Sequence, residues 1–260
     1  LGALPVHAGN QREEALSANM RASLQAVASL CARLAAEVDS VLQAGRFPLV
    51  VGGDHACAIG TWSGVHRARA AAGPVGLIWI DAHMDSHTFA TTPSGRIHGM
   101  PLAALLGHGD AALTGIDGTA PKLLPGHVCL IGVRSYETGE AALLKQLGVR
   151  VFTMDEVKRR GLAAVFDEAL ALVRRAAGGY GVSVDLDALD PDEEPGVGTP
   201  VPDGLRRAEL AGALAQLADD SAFVAMEIVE YNPKRDRGHA TADAAGALVD
   251  AIAPRPREET

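Results

Sequence analysis

Cysteine is scarce in this chain, and its scarcity removes two classes of protein at once. Cys31, Cys57 and Cys129 are odd in number and have no Cys-x-x-Cys spacing, so neither a disulfide framework nor a cysteine-held structural zinc is expected. A reducing cytoplasm is the compartment that fits. Long basic runs are missing as well: the longest is Lys158-Arg159-Arg160, in a chain of 23 basic and 32 acidic residues with a net charge of -9. Nucleic acid is therefore not an expected partner. No apolar run approaches the roughly 20 residues that span a bilayer, and the amino end has no signal-peptide pattern, so a soluble protein without membrane contact is expected. The chain opens on Leu1 rather than Met, which suggests that an amino-terminal segment is missing from the sequence.

What is present is core. A chain of 260 residues that is 48% apolar can bury one large core. We expect a single domain over 1–260, with an irregular lead-in at 1–16 and a fraying tail at 254–260. Met20, Leu24, Val27, Leu30, Leu34, Val38 and Val41 recur in steps of three and four before Gly45, which predicts a long amphipathic helix over 17–44. After it, strands at 48–51, 75–80, 128–133, 149–153, 181–185 and 222–229 alternate with helices at 56–72, 99–106, 139–147, 155–177, 206–218 and 240–252. The strands are continuous Val, Ile and Leu runs, as a parallel sheet covered on both faces requires. The expected fold class is α/β, doubly wound, with a mostly parallel sheet and helices on both faces. The loops at 82–98 and 188–205 are long and rich in Gly, Pro and Thr, and loops of that length in a compact domain are usually functional.

Four of the strands end in clustered polar residues. Val75 to Ile80 runs into Asp81-Ala-His-Met-Asp85, Pro48 to Val51 into Gly52-Gly-Asp-His55, Tyr180 to Val184 into Asp185-Leu-Asp187, and Phe223 to Val229 into Glu230. Open α/β sheets bind ligands beyond the carboxyl ends of their strands, so these groups are expected to share one rim. Two carboxylates about 4 Å apart repel by about 4 kcal/mol at an effective dielectric near 20. Asp81, Asp85, Asp185 and Asp187 cannot all ionise there without cations. The i, i+2 spacing of Asp81 with His83, and of Asp185 with Asp187, lets each pair share one ion. An oxygen-rich set with two imidazoles and no thiolate suits Mn²⁺ or a similar ion. Two such ions would lower the pKa of a shared water and make it a hydroxide nucleophile, which points to hydrolysis rather than redox chemistry.

These residues resemble the ureohydrolase family, which comprises the arginases, agmatinases and related manganese amidinohydrolases. Gly52-Gly-Asp-His55, Asp81-Ala-His-Met-Asp85, Ser183-Val-Asp-Leu-Asp187 with Asp190-Pro191, and Glu230-Tyr-Asn-Pro233 follow the family's order over residues 25–252. The family's first strand has no counterpart. The resemblance implies an arginase-like three-layer fold and two Mn²⁺ per chain. His55, Asp81, Asp85 and Asp185 would hold the first ion and Asp81, His83, Asp185 and Asp187 the second, with Asp81 and Asp185 bridging. It also implies a catalytic group of His98, Asp85 and Glu230, with Glu230 holding the guanidinium and His98 moving protons. Thr199 would line the same pocket, whereas Glu227 is assigned a supporting role. Homotrimers or homohexamers are the implied assemblies.

The substrate depends on the distal end of the pocket. Family loops corresponding to 87–96 read an α-carboxylate, and this chain keeps Thr92 and Ser94 but has His87 and Arg96 where asparagine is usual. Arg96 can grip a carboxylate bidentately. Across the pocket, Glu137, where aspartate is usual, and Glu140 align with the residues that hold the α-amine. A carboxylate reader facing an ammonium reader describes an amino acid, so the expected reaction is hydrolysis of L-arginine to L-ornithine and urea. Agmatine, guanidinobutyrate and formiminoglutamate remain open, as does a catalytically silent relative that binds metal or guanidino ligands.

Overall fold

The computed structural model describes residues 18–118 and 121–253; the expected lead-in at 1–16 and tail at 254–260 lie outside the described residues. Six strands form one sheet: β1 (Leu49–Val51), β2 (Gly76–Ile80), β3 (Val128–Val133), β4 (Arg150–Thr153), β5 (Tyr180–Asp185) and β6 (Phe223–Val229). Their order is β1-β6-β5-β2-β3-β4, and every adjacent pair is parallel. The chain steps from β1 across two positions to β2, winds outward to β4, then returns to β5 and β6. The direction of winding therefore reverses between β5 and β2, and a crevice opens at such a point beyond the carboxyl ends of the strands.

Alternation within the strands feeds two cores. Ile78 and Ile80 of β2 pack with Ile131, Val182, Val184 and Ile228 on one face, while Leu77 and Trp79 pack with Leu130 and Val133 on the other. Both sets are buried, which is why the strands read as unbroken apolar runs. Each such side chain contributes about 1.5–3 kcal/mol relative to exposure.

Helices α1 (Ala18–Gln43), α2 (Cys57–Arg69), α3 (Pro101–Leu105), α4 (Ala111–Thr114) and α5 (Thr138–Leu147) precede or interrupt the first strands. The remaining helices are α6 (Met154–Arg160), α7 (Leu162–Val173), α8 (Arg207–Leu214) and α9 (Ala240–Ile252). Of the residues whose spacing predicted α1, Leu24 and Val38 are buried and Met20, Val27, Leu34 and Val41 partly so, whereas Leu30 is 47% exposed; Cys31 and Ala35 complete the buried face. It lies unusually close to α2, because Gly60 and Gly64 present no Cβ: one there would fall 2.7 Å from the Cys31 carbonyl oxygen and 2.5 Å from that of Ala35. Two expectations are corrected. The helix expected over 155–177 is two helices, broken at Gly161 with φ +84°, and α4 was not foreseen.

The loop from 189 to 206 is pinned by Asp190, whose carboxylate accepts from the backbone of Asp192 at 3.0 Å and Gly204 at 2.9 Å. Beside it, Glu194 is 1% exposed and neither carboxylate oxygen has a hydrogen bond, although Arg207 Nε lies 3.4 Å away. Burial pushes its carboxyl up to about 7. A carboxyl with a folded-state pKa above the unfolded value favours the fold while protonated, so this contribution is complete below about 4.3 and is lost as pH rises through about 7. Glu194→Gln is therefore expected to raise the urea midpoint at pH 8 and leave it nearly unchanged at pH 4. Parallel midpoint-against-pH curves for the two proteins would contradict this.

Candidate metal centre and active site

Every cluster predicted at a strand end arrives at the same rim. Asp81 follows β2 directly, Asp185 ends β5, Glu230 follows β6, and His55 sits in the turn between β1 and α2. The four strands involved, β1, β6, β5 and β2, are consecutive in the sheet. His55 Nδ1 faces Asp85 Oδ2 at 3.0 Å and the Oδ2 atoms of Asp81 and Asp185 at 3.2 Å each. A second group forms around His83, whose Nδ1 lies 3.3 Å from Asp187 Oδ2 and 3.4 Å from Asp81 Oδ1. Within each of these two groups the ligand atoms lie within 4.8 Å of one another, and Asp81 belongs to both. Asp185 belongs to the first group; its Oδ1 accepts the Asp187 backbone N–H at 2.8 Å.

The charges in this cluster are frustrated. Burial, reinforced by Asp81, pushes the Asp85 carboxyl up to about 7, and burial with Asp187 and Asp81 raises Asp185 well above the carboxylate range. Burial raises Asp187 as well. Burial would raise Asp81, yet the adjacent His55 and His83 imidazoles hold it low. Burial opposes a charge on His83, yet Asp187 and Asp81 push the imidazole up to about 12; His55 is likewise raised by Asp185, Asp81 and Asp85. Protons on the imidazoles thus stand in for positive charge that the carboxylates demand. His55 Nδ1 and Asp187 Oδ1 are nonetheless buried without a hydrogen bond. Buried polar atoms are nearly always satisfied, so orphans of this chemistry among carboxylates fit a pair of divalent ions.

Behind the ligands lies support that the sequence revealed only at Glu227. His55 Nε2 reaches Ser183 Oγ at 2.9 Å, and Ser183 Oγ donates to Glu227 Oε1 at 2.7 Å. Trp62 Nε1 donates to the same oxygen at 2.6 Å, so Glu227 supports the site as its position suggested. With an ion bound, His55 would donate its Nε2 proton to Ser183 and leave the Nδ1 lone pair for the ion. Trp79 donates to Asp81 Oδ2 at 2.9 Å and stacks on the His55 ring at 4.0 Å. Arg134 draws together the loops after β3 and β5, donating to the carbonyls of Asp187 and Val201 at 2.8 Å each. Trp62, Trp79 and Arg134 carry no local sequence signal for such a role.

Asp85 and Glu230 both hold left-handed backbone conformations, with φ +47° and +66°. For residues with a Cβ that region is disfavoured, and strain of this kind collects at functional sites. The Glu230 backbone N–H donates to Gly53 O at 2.8 Å, and Glu230 Oε1 accepts the His55 backbone N–H at 2.9 Å. His98 Nδ1 lies 3.6 Å from the same carboxylate oxygen, and the Glu230 charge raises its pKa. Thr199 Oγ1 donates to Asp187 Oδ2 at 2.7 Å. His98, Thr199 and Glu230 line a cleft of about 730 Å³. The adjoining cleft of about 260 Å³ is lined by His83, Asp85, Asp187 and by all six distal residues singled out in the sequence: His87, Thr92, Ser94, Arg96, Glu137 and Glu140.

Two of those distal residues, assigned to opposite ends of the substrate, bond to each other. His87 is 5% exposed and bonds through Nε2 to Glu137 Oε2 at 3.0 Å and through Nδ1 to Thr91 Oγ1 at 3.1 Å. Glu140 accepts the backbone N–H of Glu137 at 2.9 Å and of Ser86 at 3.3 Å, one on each oxygen. Thr92 and Ser94 accept backbone N–H groups of their own loop. Ser183→Ala tests the support behind the ligands. Removing the partner of a ligating imidazole weakens metal affinity by about 10–100-fold, so the variant is expected to bind Mn²⁺ more weakly by that factor in a calorimetric titration; an unchanged affinity would show that the relay does not orient His55.

The model of the Arginase family matches residues 5–253. Over 254 residues the chain is 46% identical to an arginase of Bacillus caldovelox, covering 97% of this chain and 83% of that protein. An arginase of Brevibacillus brevis is 47% identical over 220 residues, 85% of this chain and 73% of the other. The solved structure of the native B. caldovelox arginase at pH 5.6 superposes with a TM-score of 0.85 at 47% identity, covering 90% of this chain and 77% of that one. Sequence, fold and the convergence of the strand-end ligands agree: the chain belongs to the arginase family.

Proposed function

We propose that the protein is a binuclear manganese amidinohydrolase that converts L-arginine and water to L-ornithine and urea. The observation that carries this reading is the pair of ligand groups sharing Asp81, set beside Glu230 and His98. His55, Asp81, Asp85 and Asp185 would hold one ion, and Asp81, His83 and Asp187 the other, with Asp185 a candidate second bridge. Bound there, two divalent ions would supply an activated water at neutral pH and stabilise negative charge as it develops. The protein's own groups do the rest. Glu230 Oε1 is committed to the His55 backbone, and Oε2 faces the space that Gly198 leaves open, where a Cβ would come within 3.3 Å. A guanidinium N–H group directed at that oxygen makes a charge-assisted hydrogen bond.

Hydrolysis adds water across the bond between the guanidinium carbon and the chain nitrogen, and the departing amine must take a proton. His98 is partly exposed in the same cleft, and the Glu230 carboxylate 3.6 Å away raises its pKa, favouring the imidazolium. It is the group suited to deliver that proton. Agmatine, which lacks a carboxylate, would make no use of the Arg96 guanidinium in the cleft wall. The three buried free cysteines support a reducing, cytoplasmic location. Trimeric or hexameric assembly rests on the family resemblance.

Urea release from arginine with added Mn²⁺ is the direct test. Asp185→Ala is expected to abolish it, and His98→Asn to reduce it by about 10²–10⁴-fold. A wild-type chain loaded with metal yet inactive on arginine would contradict the proposal.

A further inference from the structure

A third group of metal-ligating side chains lies outside the binuclear centre, on the wall of the same cleft. His87, Glu137 and Glu140 each offer one ligand atom, and these atoms lie within 4.8 Å of one another. His87 Nε2 is 3.0 Å from Glu137 Oε2 and 3.7 Å from Glu140 Oε1. Those separations bracket the roughly 3.3–3.6 Å edge of a tetrahedron whose metal–ligand bonds are about 2.0–2.2 Å long. The group is also held from behind. His87 is buried, and its other ring nitrogen, Nδ1, lies 3.1 Å from Thr91 Oγ1. That hydroxyl accepts the Thr88 N–H at 3.0 Å and directs its own proton to Thr88 O at 3.4 Å, so what it offers Nδ1 is a lone pair. With an ion bound, Nδ1 would donate to Thr91 and Nε2 would keep its lone pair for the metal, which is how an outer partner orients a ligating imidazole. Glu140 is fixed by the backbone N–H groups of Glu137 and Ser86, at 2.9 Å and 3.3 Å, and each of its oxygens retains a second lone pair. The Glu137 side chain is 58% exposed, so it can turn onto an ion without disturbing the packing.

We propose that His87, Glu137 and Glu140 form a further divalent-cation site, suited to Zn²⁺ and separate from the pair of ligand groups that share Asp81. One imidazole and two carboxylates, with a fourth position left to water, make a tetrahedral donor set of the kind Zn²⁺ takes. A neutral imidazole with two carboxylates carries two negative charges, which one divalent ion balances. Zn²⁺ binds a given nitrogen and oxygen site more tightly than Mn²⁺, so Mn²⁺ at levels that fill the binuclear pair leaves this site free. All three residues line the cleft of about 260 Å³ that His83, Asp85 and Asp187 also line, and the fourth position opens into it. An ion there takes up space beside the reaction centre without displacing either of its metals. Zinc at this site therefore competes with substrate for the cleft, a consequence that rests on the amidinohydrolase reading above.

The test uses the full chain loaded with Mn²⁺, then equilibrated with Zn²⁺ against excess Mn²⁺, with total metal per chain counted by elemental analysis. The wild type is expected to take up one ion more than His87→Asn, whose affinity for the added zinc should fall by at least about 100-fold, the upper end of what losing an outer partner alone does. Glu137→Gln, a change on a half-exposed side chain, should lose the same ion. Both variants should match the wild-type Mn²⁺ count before zinc is added, which shows that they fold. In steady-state assays, zinc at about ten times its dissociation constant should raise KM for arginine about tenfold with kcat unchanged, and His87→Asn should remove the effect. Equal metal totals in the wild type and both variants overturn the inference. Inhibition that lowers kcat and persists in His87→Asn overturns the assignment of the inhibition to this site. The binuclear reading fails separately, through a Mn²⁺ count below two measured without zinc. A chain silent on arginine that still takes up His87-dependent zinc removes the hydrolase reading and leaves this site in place.

Discussion

Negative charge concentrated at the carboxyl ends of β2 and β5 is the constraint on which the rest of this structure depends. Asp81, Asp85, Asp185 and Asp187 are all buried and face two imidazoles. A pair of like charges at such separations repels by several kcal/mol even at an effective dielectric near 20. Fixing four of them together requires a rigid scaffold and countercharge. The sheet supplies the first, because Asp81 and Asp185 are anchored by strands that are hydrogen-bonded neighbours, Ile80 standing beside Val184. The imidazoles supply part of the second. The remaining deficit gives the site its affinity for divalent ions, and so its chemistry.

The surrounding architecture can be understood as holding that deficit in place. Trp79 caps one Asp81 oxygen and covers the His55 ring; Ser183 and Glu227 orient the same ring from behind. Glu227 adds a further buried carboxylate, raised by burial, whose proximity to His55 favours a polarised imidazole. Strain is placed where the ligands need it, at Asp85 and Glu230, whose positive φ turns each carboxylate in from the chain's natural course. Outside this shell the chemistry relaxes. The distal wall is built from ordinary pairs and caps, and the Arg96 guanidinium lines it without a hydrogen bond or ion pair among the described residues.

Much of this was legible in the sequence, for a physical reason. Strand ends are marked by an abrupt change from Val, Ile and Leu to Asp, His and Gly, so the ligand set at 55, 81, 83, 85, 185 and 187 could be named and assigned to one rim before any coordinates. Parallel strands covered on both faces leave the unbroken apolar runs that fix the fold class. The single helix expected over 155–177 failed at Gly161, since periodicity continues across a break that only the backbone angle reveals. The pairing of His87 with Glu137 was also hidden: residues 50 apart carry no mutual signal, so two side chains expected to read opposite ends of a substrate turn out to bond to each other. Arg134 escaped for a related reason, because its partners are carbonyl oxygens, which every residue possesses.

The central claim is that buried carboxylates in excess of their imidazoles form a site for two divalent ions and are stabilised by them. A titration of the metal-free chain with Mn²⁺, following bound metal by elemental analysis and unfolding by thermal melting, tests it most directly. Ions that bind the folded chain alone stabilise it by RT ln(1 + [L]/Kd), so the account predicts saturation at two ions per chain with a melting midpoint that rises as both load. Saturation at one ion or none, or binding that leaves the midpoint unmoved, would contradict it.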